Sequence, residues 1–173
     1  VGTQTNPYFI KTPEDLASIG VGNAGEENYR GLNMHYVQLN SIDLANYNGG
    51  VWTPLGGNDG FSGVYDGAGF AIYNLNITSA ENTNAGLFTK INQQATVTRI
   101  IFEKPIITGK AQNAGVVAGI NSGTISRIEV KNASISIENN SSESVNVGGI
   151  VGKMERETTN TRLDRVAFYK NGA

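Results

Sequence analysis

Thr96-Val97-Thr98-Arg99-Ile100-Ile101-Phe102 returns 28 residues later as Thr124-Ile125-Ser126-Arg127-Ile128-Glu129-Val130, and again as Arg162-Leu163-Asp164-Arg165-Val166-Ala167-Phe168. The shared pattern is apolar-x-x-apolar-x-apolar, also met at Ile72/Leu75/Ile77, so four copies follow one another at spacings of 25, 28 and 38 residues. Between the copies lies a glycine-flanked apolar element: Gly86-Leu87-Phe88, then Gly115-Val116-Val117-Ala118-Gly119, then Gly149-Ile150-Val151-Gly152. Ile107 and Ile135 keep the same phase. Self-similarity at such a period is the mark of a repeat architecture in which each unit buries its apolar face on its neighbours.

A unit this short cannot close a sandwich of its own. Stacked about 4.8 Å apart, successive units cover each other's apolar rows and pair their backbones in continuous ladders. The expected fold is all-β: a right-handed parallel β-helix, or solenoid, of about five coils, the hand following the usual chirality of parallel crossovers. Composition agrees. The 173 residues include 16 Ile and 13 Val against 8 Leu, with 22 Gly and 21 Asn, so the apolar residues are mostly β-branched and the polar ones favour turns.

Working outward, residues 1–35 read as an N-terminal cap. Thr12 precedes Pro13-Glu14-Asp15-Leu16-Ala17-Ser18-Ile19-Gly20. A capping hydroxyl, a proline at the first helical position and acids in the first turn predict a short helix at 13–20. Its Leu16 and Ile19, with Tyr8, Phe9 and Ile10, would cover the first coil, whose exposed ladder otherwise invites foreign strands. Residues 36–173 are assigned to the coils, beginning with short strands at 36–39 and 42–44. After Phe168 the repeat is interrupted at Lys170-Asn171-Gly172-Ala173, so the solenoid reads as truncated there, with another coil expected beyond.

Several function classes are excluded. A net charge of −2 with interspersed signs gives no basic field for nucleic acid, and no apolar run is long enough to span a bilayer. There is no cysteine and one histidine, His35, so no thiol nucleophile, disulfide or multi-histidine metal site is available. No cofactor is implied.

The ordered glycine motifs resemble the glycine-leucine-aliphatic-glycine, or GLUG, repeat of bacterial surface and secreted proteins. The likeness runs on through Tyr36 to Leu39, Ile42-Asp43-Leu44, Trp52-Thr53-Pro54-Leu55-Gly56, Phe61-Ser62-Gly63, Tyr65-Asp66-Gly67 and Ile72-Tyr73-Asn74-Leu75. Two departures stand out: Thr89 replaces the final glycine of the first motif, and Arg99, Arg127 and Arg165 hold a corner where Asn74 is the more typical residue. The resemblance implies an extracellular, cell-surface or secreted setting, in adhesin-like proteins or beside the peptidase unit of immunoglobulin-A-cleaving enzymes. A peptidase centre would have to lie elsewhere, since the chain has no HExxH.

Candidate site residues are few. If the coils align, Arg99, Arg127 and Arg165 stand in a row with Lys104 and Lys131 near the same flank, and guanidinium forks match the oxyanions of sulfated, sialylated or uronic-acid glycans. Tyr169 is a less constrained aromatic that could stack on a sugar, as are Tyr29 and Tyr47. Repulsion along such a row in water is only on the order of 1 kcal/mol, so the row can stand without a ligand and a solvated structural face is the favoured account of it. Polysaccharide-processing solenoids use clustered carboxylates. Here Asp59 and Asp66 precede glycines in turns and Asp43 points outward from a strand, so turn chemistry accounts for them. Trp52, Phe61 and Tyr65 read as core of the first coils.

The functional expectation is a non-enzymatic module of a larger surface or secreted protein, a rigid stalk or adhesin-like unit with a glycan or a host or matrix protein as partner besides its flanking domains. The alternatives are an accessory region of an immunoglobulin-A-directed metallopeptidase and a polysaccharide-processing β-helix enzyme.

Overall fold

The computed structural model describes residues 1–139, 143–156, 159 and 161–169. It is a parallel β-solenoid of about five turns, nearly all strand. One broad sheet runs the length of the molecule through six rungs: Tyr8–Ile10, His35–Gln38, Val64–Asp66, Thr96–Glu103, Thr124–Lys131 and Arg162–Tyr169. Short strands Ile42–Asp43 and Ala71–Tyr73 extend it. Three smaller parallel sheets make the remaining sides, and each begins only in the third coil, at Asn76–Ser79, Asn84–Ala85 and Phe88–Ile91.

The inward columns are chemically continuous. Tyr8, Tyr36, Tyr65, Val97, Ile125 and Leu163 share one register, and Ile42, Ile72, Phe102, Val130 and Phe168 another. Ile77, Ile107 and Ile135 form a third. A residue in the left-handed region bends each long strand: Arg99 (φ 58°), Arg127 (52°) and Arg165 (52°). That bend places two consecutive side chains outside before the next returns inside, which is the physical origin of the apolar-x-x-apolar-x-apolar pattern.

The register corrects one assignment. Val97 lies over Tyr65, not Ile72; Ile72 pairs with Phe102, and Ile77 with Ile107. The earlier coil carries extra residues at Gly67–Phe70 where later coils make a single-residue bend, so an identical spacing pattern falls one corner further on. Asn74 therefore shares its corner with Lys104 and Asn132, all three with positive φ, and not with the arginines.

The cap forms as its sequence dictates but is shorter. The helix is Pro13–Ala17: the Thr12 hydroxyl accepts from the Asp15 N–H, and the Asp15 carboxylate accepts from the Thr12 N–H. It ends early because the Ser18 hydroxyl turns back to the Asp15 carbonyl and the chain reverses through Gly20 at φ 88°, whose N–H donates to the Arg30 carbonyl. Leu16 and Ile19 are buried with Ile10 in the core. Phe9 is not; strand alternation turns it outward, 52% exposed. Tyr8–Ile10 is itself the first rung, so the solenoid begins inside the segment read as a cap.

The glycine motifs mark a corner where backbones nearly touch. A Cβ on Gly115 would lie 2.5 Å from the Val151 Cα, and one on Gly119 would lie 2.7 Å from the Asn84 Cβ. At the far end the column residues emerge: Leu163 and Phe168 are exposed in the last rung. The four residues from Lys170 to Ala173, on which the reading of an interrupted repeat rests, lie outside the described residues.

Candidate functional site

The outer face of the broad sheet brings the three arginines into one column, as their flanking registers require: Thr98 over Ser126 and Asp164, Ile100 over Ile128 and Val166. With Gly69, Ile101 and Glu129 they line an open hollow of about 350 Å³. Their electrostatics differ. Arg99 donates through Nε to one Asp66 oxygen at 2.8 Å and through Nη2 to the other, a bidentate pair that raises its already high pKa. Arg165 lies 3.7 Å from Asp164. Arg127 has no ion pair among the described residues, although Glu129 stands two positions along on the same face.

Lys131 and Tyr169 also meet. They are register partners on adjacent rungs, with the ammonium 5.7 Å from the ring centroid. The same ammonium reaches the Glu129 carboxylate at 3.5 Å. Lys104 occupies the second corner, one residue beyond Glu103 in that row. The flank is thus a patchwork in which Asp66, Glu129 and Asp164 answer Arg99, Lys131 and Arg165, while Arg127 and Lys104 have no ion pair among the described residues.

The carboxylates considered for catalysis are engaged separately. Asp43 accepts from the Ala45 N–H and the Asn74 amide, each at 2.9 Å, and these bonds hold its carboxyl below the ordinary carboxylate value. Asp66 accepts from the Ala68 N–H at 2.8 Å besides Arg99. Asp59 sits on a separate loop with Gly60. Among the described residues no group of three His, Asp or Glu side chains could hold a metal ion. Trp52 is 3% exposed and packs on Tyr47, so neither ring is a free stacking platform. Phe61 and Tyr65 are fully buried. The Tyr29 carbonyl accepts the Tyr8 hydroxyl at 2.8 Å.

Two arrangements escaped the sequence reading. One is the Asp66–Arg99 pair, which spans 33 positions and has no local signature. The other is an asparagine ladder. Asn146 Nδ2 donates to Asn113 Oδ1 and Asn113 Nδ2 donates to Asn84 Oδ1, both at 2.8 Å. Its signal was present as Asn84-Ala85-Gly86, Asn113-Ala114-Gly115 and Asn146-Val147-Gly148, an asparagine two places before a glycine at or next to the start of each motif.

Among the described residues no helix is long and apolar enough to cross a membrane. No family model matches the chain, and no solved structure matches it. Among curated proteins, Halomucin of Haloquadratum walsbyi (strain DSM 16790 / HBSQ001) is 30% identical over 152 residues, which is 87% of this chain. The chain spans about 2% of the length of that relative.

Proposed function

We propose that the chain is a non-enzymatic spacer module of a larger extracellular surface protein, holding what adjoins it at a fixed distance. The observation that carries this reading is the unbroken register of six rungs, which makes the molecule a short stiff rod of roughly 24 Å along its axis at about 4.8 Å per rung. The likeness to a small part of a protein named as a mucin supports a surface setting, as does the GLUG resemblance. The close backbone approach at Gly115 and Gly119 gives that resemblance a physical rationale. The local engagement of Asp43 and Asp66 supports a module without catalysis.

Limited proteolysis of intact cells making the parent protein tests the reading. Release of peptides from this module is the expected result; their appearance only after lysis refutes surface exposure. A reducing-sugar assay on acidic polysaccharides is expected to stay blank, and turnover would favour the enzymatic alternative. An HExxH in the parent chain would favour the peptidase-accessory alternative.

A second reading, adhesion to anionic glycans, draws support from Arg127, whose guanidinium is unpaired among the described residues within the hollow shared with Arg99 and Arg165. Equal glycan-array signals from the native chain and a variant with alanine at all three positions would remove it.

A further inference from the structure

The fold contains a step. Because the three smaller sheets begin only in the third coil, the strands Asn76–Ser79 and Asn84–Ala85 have no strand beneath them, and the loop through Trp52 and Gly57 passes alongside. The gap is a cleft of about 420 Å³, within the usual size of small-ligand sites. Its apolar floor includes Trp52, Ile77 and Ala85, all buried. Not one of its lining residues is charged.

Two sets of hydrogen-bonding groups face this gap without partners among the described residues. The first is main chain. Ile106 N–H donates to the Leu75 carbonyl and Lys110 N–H to the Ser79 carbonyl, so odd-numbered residues here face the next coil and even-numbered ones face the step. Asn76 uses its outward carbonyl on the Trp52 N–H; Thr78, the next outward residue, has its N–H and C=O open. The second is the end of the asparagine ladder. Asn84 accepts from Asn113 through Oδ1, which leaves its Nδ2 as the terminal donor on the cleft side. Hydrogen bonds in such a chain polarise one another, making that last donor stronger than an isolated amide. The side chains of Thr53, Asn58 and Asn82 line the same space.

We infer that the step cleft binds a neutral polyhydroxylated ligand, a single uncharged sugar residue of a glycan, with one of its oxygens on Asn84 Nδ2 and another on the Thr78 main chain. Alternating hydroxyl donors and acceptors match this set of neutral amides and hydroxyls, and the absence of a cation gives sulfate, sialic acid or uronate nothing to pair with. This goes beyond the spacer reading and does not rest on it, since binding by the isolated chain is read whatever the parent protein does.

The test is amide NMR of the full chain titrated with methyl glycosides of galactose, glucose, mannose and N-acetylglucosamine at millimolar concentration. At least one should give saturable shifts of the Thr78 amide and the Asn84 side-chain NH2. Removing one such hydrogen bond is expected to weaken affinity roughly three- to tenfold, which Asn84→Ala reads. Should that variant fail to fold because it breaks the ladder, Asn58→Ala and Thr78→Trp act on exposed positions, and Thr78→Trp should abolish the shifts by filling the gap. The inference is overturned if none of the glycosides moves these signals, if the shifts survive Thr78→Trp, or if an extended threonine-rich peptide moves them and the sugars do not, which would assign the step to strand addition.

Discussion

The two halves of the solenoid solve one packing problem with different side chains. From Thr96 onward the inward columns are filled mainly by Val, Ile and Ala, repeated rung on rung. Before it a run of aromatic rings joins the buried Ile and Leu: Tyr8 stacks on Tyr36 at 5.7 Å, Tyr36 meets Phe61 at 6.3 Å, and Phe61 meets Phe88 at 4.6 Å. Tyr65 closes edge-on against Phe88 and hands its hydroxyl to Gln38. In the aliphatic half each inward side chain stacks on its register partner in the neighbouring rung. The aromatic half has missing strands on three sides, and large rings fill the space they leave. Regular columns give the module its reach; the irregular half gives it a closed end and a step.

The largest effects should come from the seam between the halves. Phe88→Ala removes a fully buried ring that touches both Phe61 and Tyr65, and a loss of about 3–5 kcal/mol in urea unfolding is expected, with collapse of the near-ultraviolet aromatic signal. Ile128→Ala, in the middle of the regular half between Ile100 and Val166, should cost about 2–4 kcal/mol and leave that aromatic signal in place. Equal aromatic losses from the two variants would mean that the halves are not separable in packing.

The arginine corners allow a finer comparison. A non-glycine residue in the left-handed region is strained by about 1–2 kcal/mol, partly offset on substitution by the greater freedom of glycine in the unfolded chain. Arg127→Gly should therefore stabilise by about 0.5–1 kcal/mol. Arg99→Gly should gain less, by roughly the 0.2–1 kcal/mol of an exposed ion pair, because it also abandons Asp66. The difference between their unfolding midpoints measures that pair; a zero difference would make the Asp66 contact energetically idle.

The smallest effect is a pH dependence. Bonds from Asn74 and Ala45 lower the Asp43 carboxyl, so its contribution to stability is present above the ordinary carboxylate range and is lost as the pH falls through the depressed value. The Asn74 side-chain NH2 resonance should titrate in that acid window, and Asp43→Asn should flatten the titration. A transition at or above the ordinary carboxylate value would contradict the lowered pKa.

The regular half was legible because period, burial and register there say the same thing: each inward Ile or Val recurs at a fixed distance with a bend of fixed length. The early coils were legible as a fold class but not in register, since Ile72/Leu75/Ile77 mimics the later repeat one corner further on, beyond the added Gly67–Phe70 segment. Arg99, Arg127 and Arg165 could be aligned from spacing alone. The pairing of Arg99 could not, because Asp66 belongs to a different rung and a turn-forming aspartate looks the same whether or not it grips a guanidinium. The step cleft was invisible for a related reason. It is made by strands that a coil omits, and an omission leaves no residue to read.

Phe102 and Val130 are 28 positions apart, Val130 and Phe168 are 38, and both pairs sit directly over one another. Ten residues can therefore be gained between two floors of the building without moving a single joist. Length can vary between successive floors while the frame that carries them stays in place.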